Sequence, residues 1–589
     1  MTSAHGRSDT ALAPVRIGNC SGFYGDRHAA MREMLTGGDL DYITGDYLAE
    51  LTMLILARDR AKSADRGYAK TFLSQLEECL GLAIDRGVRI VANAGGLNPA
   101  GLATAVRALA ERLGVQATVA HVEGDDLVAR AGELGFGTSG GGTPLAANAY
   151  LGAWGIVDCL NSGADVVVTG RVTDASVIVG PAAAHFGWAR DDYDCLAGAV
   201  AAGHVIECGV QATGGNFAFF PEIADLTHAG FPLAEIYDNG GSVITKHPGT
   251  GGVVSVDTVT AQLLYEITGA RYANPDVTLR MDSIELSPDG GDRVRIDSVR
   301  GEPPPPTLKV SLNSIGGFRN AMTFVLTGFD IDAKADLVRR QLEAGLTVKP
   351  AELEWRLART DHADADTEEA ASALLHCVVR DPGPANVGRK FSSAAVELAL
   401  ASYPGFTTTA PPGDGQVYGV FTPGYLDANE VPHIAVHADD TRVDIPAATE
   451  TKVLEPVAPF ALPEPLPFED TQRVPLGRIA GARSGDKGGN ANVGVWVRTT
   501  NEWRWLAHAL TVEKLREMLP ETADLEITRH VLPNLHAVNF VIEGLLGEGV
   551  AYQARFDPQA KGLGEWLRAR VVELPAGLLD TQEGDDGLP

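Results

Sequence analysis

From about residue 15 to residue 260, short β-branched runs alternate with longer stretches of helical period, and no other feature of the chain restricts its fold as much. The alternation predicts a parallel sheet covered by helices, because two parallel strands need a long crossover between them. Strands are expected at Val15 to Ile17, Asp41 to Thr44, Val88 to Asn93, Gln116 to Val122 and Asp165 to Thr169. Met31 to Leu35, Phe72 to Ile84 and Gly101 to Leu113 have helical spacing, with Glu77, Glu78, Arg107 and Glu111 on the outward faces.

Beyond this region the texture changes. Val277 to Leu286, Val294 to Val299, Leu308 to Leu312 and Met322 to Leu326 read as an antiparallel layer, with the Pro303–Pro306 run between two of its strands. Helices are expected at about 333 to 345, 367 to 378 and 392 to 402, so residues 275 to 450 form an α+β part. Prolines 456, 459, 463, 465 and 467 deny the backbone donors and favour an extended linker over 456 to 471. Residues 472 to 575 then read as strand, loop, strand, helix, strand, strand and helix, the size of a small α/β sandwich. The fold class is therefore α/β: a mostly parallel sheet core within residues 1–455, an α+β extension, and a small sandwich over 472–589. A chain of 589 residues, 45% hydrophobic, is long enough for two or three cores.

Charge and cysteine usage narrow the partners. The formal charge is −29, from 77 acidic against 48 basic side chains spread along the chain, and such a field repels nucleic acid and anionic membranes. Cys20, Cys79, Cys159, Cys195, Cys208 and Cys377 lie far apart without a C-x-x-C pair, which argues against a zinc ribbon or disulfide framework and fits a reducing cytoplasm. The segment MTSAHGRSDTALAPVR has no uninterrupted apolar stretch, and no run approaches 18 apolar residues, so neither secretion nor membrane insertion is expected.

The chemistry is expected in glycine-rich or polar loops after the strands, where a parallel sheet opens its ligand crevice. Gly18 to Arg27 offers Asn19 and Ser21 and backbone amides to an anion, although a plain strand-to-helix turn explains it too; its spacing fits neither dinucleotide nor P-loop patterns. Asn93, Gly95 and Gly96 precede Asn98 as helix cap and Pro99 at the first helical position. Arg171 follows a buried strand and can fork a carboxylate, while Asp174 either joins the catalytic residues or caps the next helix. The segment His204 to Phe217 is the leading catalytic stretch, with base, acid and thiol in His204, Glu207 and Cys208, then Thr213, Gly214, Gly215 and Asn216 in a polar loop. On a helix His204 and Cys208 would share a face, so Cys208 is either a nucleophile activated by His204 or a pocket wall; otherwise His204 or Glu207 moves protons next to a carbonyl. Lys246, beside His247, extends the crevice, and Arg483 and Lys487 put two cations among glycines in an otherwise acidic protein. No metal ion and no tightly bound cofactor is expected.

The phrases IGNCSGFYGDR, DYITGDYLAELTM, VANAGGLNPAGLA, VVTGRVTDAS and HVIECGVQATGGNF resemble the core of the acyclic terpene utilisation (AtuA) family. ARSGDKGGNANVGV resembles the small domain that often follows it. The resemblance implies bacterial catabolism of citronellol, geraniol and related branched isoprenoid acids as coenzyme A thioesters. It also implies a ferredoxin-like tail, a β-α-β-β-α-β sandwich with no iron–sulfur cluster, and the tail from residue 472 has no cysteine. It carries no catalytic residue over to this chain. The expected protein is thus an enzyme acting on a branched or isoprenoid-derived acyl-CoA or carboxylate by hydration, elimination or carbon–carbon cleavage beside the carbonyl, assembled as a homo-oligomer. The competing class is a non-catalytic subunit or scaffold for an acyl-CoA carboxylase or hydratase.

Overall fold

The computed structural model describes residues 13–137, 144–455 and 457–579; Pro456 and the ends of the chain lie outside the described residues. In chain order the first part comprises β1 (Val15–Asn19), α1 (Ala30–Gly37), β2 (Tyr42–Gly45), α2 (Glu50–Lys62), α3 (Lys70–Asp85), β3 (Arg89–Ala92), α4 (Pro99–Leu113) and β4 (Val119–Glu123). There follow β5 (Ala146–Ala149), α5 (Trp154–Asn161), β6 (Val166–Thr169), α6 (Ser176–Phe186), α7 (Tyr193–Ile206), β7 (Pro232–Ile236), β8 (Ser242–Lys246) and α8 (Val256–Leu263).

β1, β2, β3, β6 and β4 lie side by side in that order and run parallel. Every residue of β2 and β6 is buried, which is why these strands are continuous apolar runs without alternation. The sheet as a whole is mixed, a correction to the mostly parallel core: β7 and β8 fold back antiparallel beside β1, and Ile434–Val436 pairs antiparallel with β4. The short turn between β7 and β8 leaves no room for a crossover helix, so they can only form a hairpin. In the parallel core Asn19 pairs with Thr44, Gly45 with Ala92 and Ala92 with Val168, so the strands end level and their loops open on one edge. Asn98 accepts from Gly101 N, Pro99 opens α4 and Gly114 closes it at φ 69°, as the sequence signals require. α7 is buried along its whole length from Leu196, and its run of alanines and glycines permits that close packing.

The expected antiparallel layer is antiparallel but does not form one sheet. Glu285–Pro288 and Val294–Asp297 extend the large sheet, Thr278–Arg280 sits in a three-stranded one, and Leu308 to Leu312 and Met322 to Leu326 are halves of a single strand, Thr307–Thr327. The helix expected over 367 to 378 is mostly strand Ser372–Asp381. Its alternating buried residues Ala373, Leu375 and Cys377 face a core, and pairing on both edges outweighs the helical propensity of TEEAASALLH. The helix at 333 to 345 is Ile331–Gly345, and 392 to 402 is helix Arg389–Val396 with a further 3-10 turn.

The chain forms two compact units. One comprises Met1–Leu312, Pro423–Leu545 and Ala560–Pro589, the other Asn313–Thr422 and Leu546–Gln559. The second unit packs helix Ile331–Gly345 on its sheet through Val338, Leu342, Phe324 and Phe391. In the C-terminal region Ala480–Lys487, Asn490–Val497, Ala537–Ile542 and Ile527–Leu532 form an antiparallel sheet in that order, with helices Thr500–Ala509, Val512–Met518 and Leu563–Ala569. From Asn490–Val497 to Val571–Pro575 the chain follows the expected β-α-β-β-α-β order, but Ala480–Lys487 takes the place beside Asn490–Val497 in the sheet and Val571–Pro575 pairs with Thr471–Pro475 instead. Among the described residues no helix is long and apolar enough to cross a membrane.

Candidate active site

Asp46 follows the last residue of β2, and its carboxylate is held in place before any ligand enters. Its Oδ1 accepts from Leu48 N (2.9 Å) and from Asn93 Nδ2 (2.5 Å), and Asn93 Oδ1 accepts in turn from Tyr47 N. Glu207 caps the C-terminal end of α7. The carbonyls of Ile206 and Glu207, which a helix end leaves without amide partners, accept from Asn19 Nδ2 at 2.7 and 2.9 Å. Asn19 and Asn93 therefore position two carboxyls, one from each side of the crevice. Asp174 completes the set: Asp46, Asp174 and Glu207 each present an oxygen, all within 4.8 Å of one another.

The expected capping role of Asp174 is not what is seen. The N-cap of α6 is Ala175, without a side-chain bond, and Asp174 Oδ1 instead meets Arg171 Nη2 at 2.7 Å. Arg171 is 3% exposed; it donates to Leu48 O and lies 4.2 Å from the Tyr150 ring. Its amide donates to the buried Asp125, whose pKa burial raises to about 7.

Three carboxyls this close, with Asp46 and Glu207 buried, cannot all ionise cheaply. Burial, then the charge of Asp174, raises Asp46 to about 7 despite Arg171. Burial, then Asp174, Asp46 and Glu266, hold Glu207 well above the usual carboxylate range, and its carboxyl is hydrogen-bonded with that of Asp46. The pair thus keeps a proton near neutral pH. Alternatively, the three oxygens form a hard, oxygen-only set of the kind that suits Mg²⁺ or Mn²⁺. Among the described residues this is the one such group, and His204 is not part of it.

His204 Nδ1 lies 3.8 Å from Glu207 Oε1, its ring rests on Tyr272, and burial followed by the charge of Lys487 lowers its pKa to about 4, so the imidazole is neutral. Cys208 does not share a helix face with His204, because α7 ends at Ile206. Its thiol points to Glu207 Oε1 at 3.6 Å, and burial, then Glu207 and Glu266, push its pKa well up. A protonated thiol beside an acid suits a pocket wall better than a nucleophile.

The C-terminal region closes the site. Arg483 stacks 4.1 Å from the Tyr265 ring and pairs with the Gln211 side chain, and Lys487 Nζ donates to Glu266 O. Asn492 accepts from Glu266 N and donates to Leu264 O, and a Cβ on Gly485 would lie 2.5 Å from the Tyr265 ring. The segment Leu264 to Tyr272 is thereby clamped over His204 and Glu207.

The other expected binding residues have different duties. Ser21 bonds Phe23 O, and Thr213 bonds the carbonyls of Val210 and Gly230. Gly95 allows close packing, since a Cβ there would sit 2.5 Å from Thr169 O, and Gly96 adopts φ 53°. Lys246 is engaged by Asp292 (3.0 Å) and Thr250 O, and His247 by Met34 O. Gly214, Gly215 and Asn216 line a separate cavity. Asp46 was missed, although its place in ITGD, directly after an expected strand, obeys the rule that picked out the other loops. Tyr265, Glu266 and Tyr272 carry no local signal.

The family model described as "Acyclic terpene utilisation family protein AtuA" matches residues 15–437. The chain belongs to the AtuA family. Residues 474–573 match the AtuA ferredoxin-like domain, the region that supplies Arg483 and Lys487. No curated protein and no solved structure matches this AtuA chain.

Proposed function

We propose that this AtuA protein is a lyase-type acid–base enzyme that adds or removes water beside the carbonyl of a branched or isoprenoid-derived acyl group. The substrate is a coenzyme A thioester or the free carboxylate, and no bound cofactor takes part. The observation that carries this is the buried Asp46–Glu207 pair, with carboxyl oxygens within 4.8 Å of each other, where burial and like charge raise both pKa values and so favour one shared proton. Elimination needs a base for the α-proton and an acid for the departing hydroxyl. One ionised and one protonated carboxyl supply both, and the pair still holds one proton after water has left. Neutral His204 relays or donates a hydrogen bond beside Glu207, and Arg483 and Lys487 face the anionic end of the substrate. Family membership supports the terpene-related context.

The test uses branched 3-hydroxyacyl thioesters and the free acids in D₂O, with α-deuterium followed by mass spectrometry. Wild type incorporates deuterium, Asp46→Asn and Glu207→Gln lose at least ~100-fold, the low end of acid–base contributions, and Cys208→Ala stays within threefold. Binding without exchange or turnover in wild type would favour the non-catalytic scaffold. A second reading, a divalent cation on the three carboxylates, rests on their 4.8 Å grouping. It requires that EDTA abolish the exchange and that Mg²⁺ or Mn²⁺ restore it.

A further inference from the structure

Two loops run side by side from the paired carboxyls to a cavity. Asn19 holds the carbonyls of Ile206 and Glu207. Three residues on, Gly22 lies so close to Cys208 that a Cβ would sit 2.7 Å from its carbonyl carbon, and Asp26 Oδ2 lies 3.4 Å from where a Cβ on Gly209 would be. The next residue of each loop, Arg27 and Val210, lines a cavity of about 420 Å³. Val210 follows Glu207 by three residues, so their α-carbons are at most ~11 Å apart.

The cavity floor is formed by buried Gly214, Phe217 and Ala229, and exposed Asn216, Phe220 and Thr227 stand at its rim. Its volume falls within the range of small-molecule sites and holds ~14 groups the size of a water molecule. Arg27 lends the cavity little charge, because its Nη2 bonds Glu33 (2.8 Å) and Ala229 O, its guanidinium lies over Phe231, and its Nε, which has no hydrogen-bond partner, is buried. Val210, Phe217, Phe220, Leu226 and Ala229 make the lining mostly apolar, which suits an aliphatic group.

We infer that this cavity takes the apolar tail of the substrate whose carbonyl end meets Asp46 and Glu207, an inference that rests on the function proposed above. It selects chains of medium length, and the tail is common to a free acid and a thioester. Calorimetry on the full chain compares butanoate, octanoate and hexadecanoate with their coenzyme A esters, and the series that binds identifies the source. A buried methylene gives up to about fourfold in affinity, so the eight-carbon chain should bind at least tenfold tighter than the four-carbon one, and sixteen carbons should add nothing. Thr227→Trp at the exposed rim and Ala229→Phe on the floor should each cut the eight-to-four-carbon preference at least tenfold, with the fold of both variants checked by circular dichroism. Affinity independent of length, or folded variants that keep the wild-type preference, would overturn the assignment. If that happens while α-exchange continues, the cavity claim falls and the acid–base claim stands. If the chain series behaves as stated but Glu207→Gln exchanges like wild type, the reverse holds.

Discussion

At pH 8 the Glu207→Gln protein should melt several degrees above wild type and should have lost its α-exchange activity. Both effects come from one cause. Glu207 and Asp46 are buried among like charges, and their folded pKa values lie above the unfolded ones, Asp46 at about 7. A raised folded pKa means that the native state binds protons more tightly than the unfolded chain does. The associated stability is complete below about pH 4 and disappears as pH rises through the folded value. For Asp46 the shift corresponds to something on the order of 4 kcal/mol, treated as an upper bound because its neighbour titrates with it. Wild type should therefore melt progressively lower between pH 5 and pH 8.5. Glutamine keeps the shape and the acceptor for Cys208 but no ionisable proton, so the variant's melting temperature should change less, and the two curves should meet near pH 5. Differential scanning calorimetry across that range decides it: a variant less stable than wild type at pH 8 would show that Glu207 is held as an anion. A site that destabilises its own fold at working pH is a functional arrangement more than a structural one.

The sequence showed the strand-end loops clearly but not the use each residue has in them. The short runs at 15, 41, 88, 116 and 165 supplied the parallel core because their central residues, such as Ile17, Ile43, Val91, Ala120 and Val167, are fully buried. Asn19, Asn93 and Arg171 were recognisable as polar groups at the crevice. Their partners come from far along the chain: Asn19 meets residues 206 and 207, and Arg171 meets residue 48. No local pattern encodes such pairings, so residues that position carboxyls looked like residues that bind substrate. The antiparallel strands β7 and β8 were hidden for a related reason, since pairing direction is set by what lies beside a strand and not by its composition. Lys246 ends β8 at the same edge as the crevice, since it pairs with Pro232, next to the Leu233 that pairs with Gly18, but its ammonium is taken up by Asp292 and Thr250 O, and His247 by Met34 O.

Arg171 gives the larger effect on stability. Replacing it with methionine should cost about 3 kcal/mol, the low end of the penalty for breaking a buried ion pair, because the Asp174 left behind is partly exposed. The side chain is almost fully buried and touches Leu48 O, Asp174 and the Tyr150 ring, so the loss falls on a carbonyl, a carboxylate and a packing contact together. The loss should also depend on pH. Arg171 is a force that lowers the pKa of Asp46, so without it the folded carboxyls rise further and the variant falls further below wild type at pH 8 than at pH 5. Urea denaturation at both pH values measures this. Adding Asp174→Asn should recover part of the deficit at pH 8, because the uncompensated charge goes with it, and the double-mutant cycle should show the two positions coupled by 1 kcal/mol or more, within the range of ~0.5–3 for residues in contact. Equal deficits at both pH values, or additive substitutions, would assign Arg171 to the substrate's carboxylate. Coupling assigns it to the protein's own acids, as the counter-ion that holds Asp174 beside the Asp46–Glu207 pair.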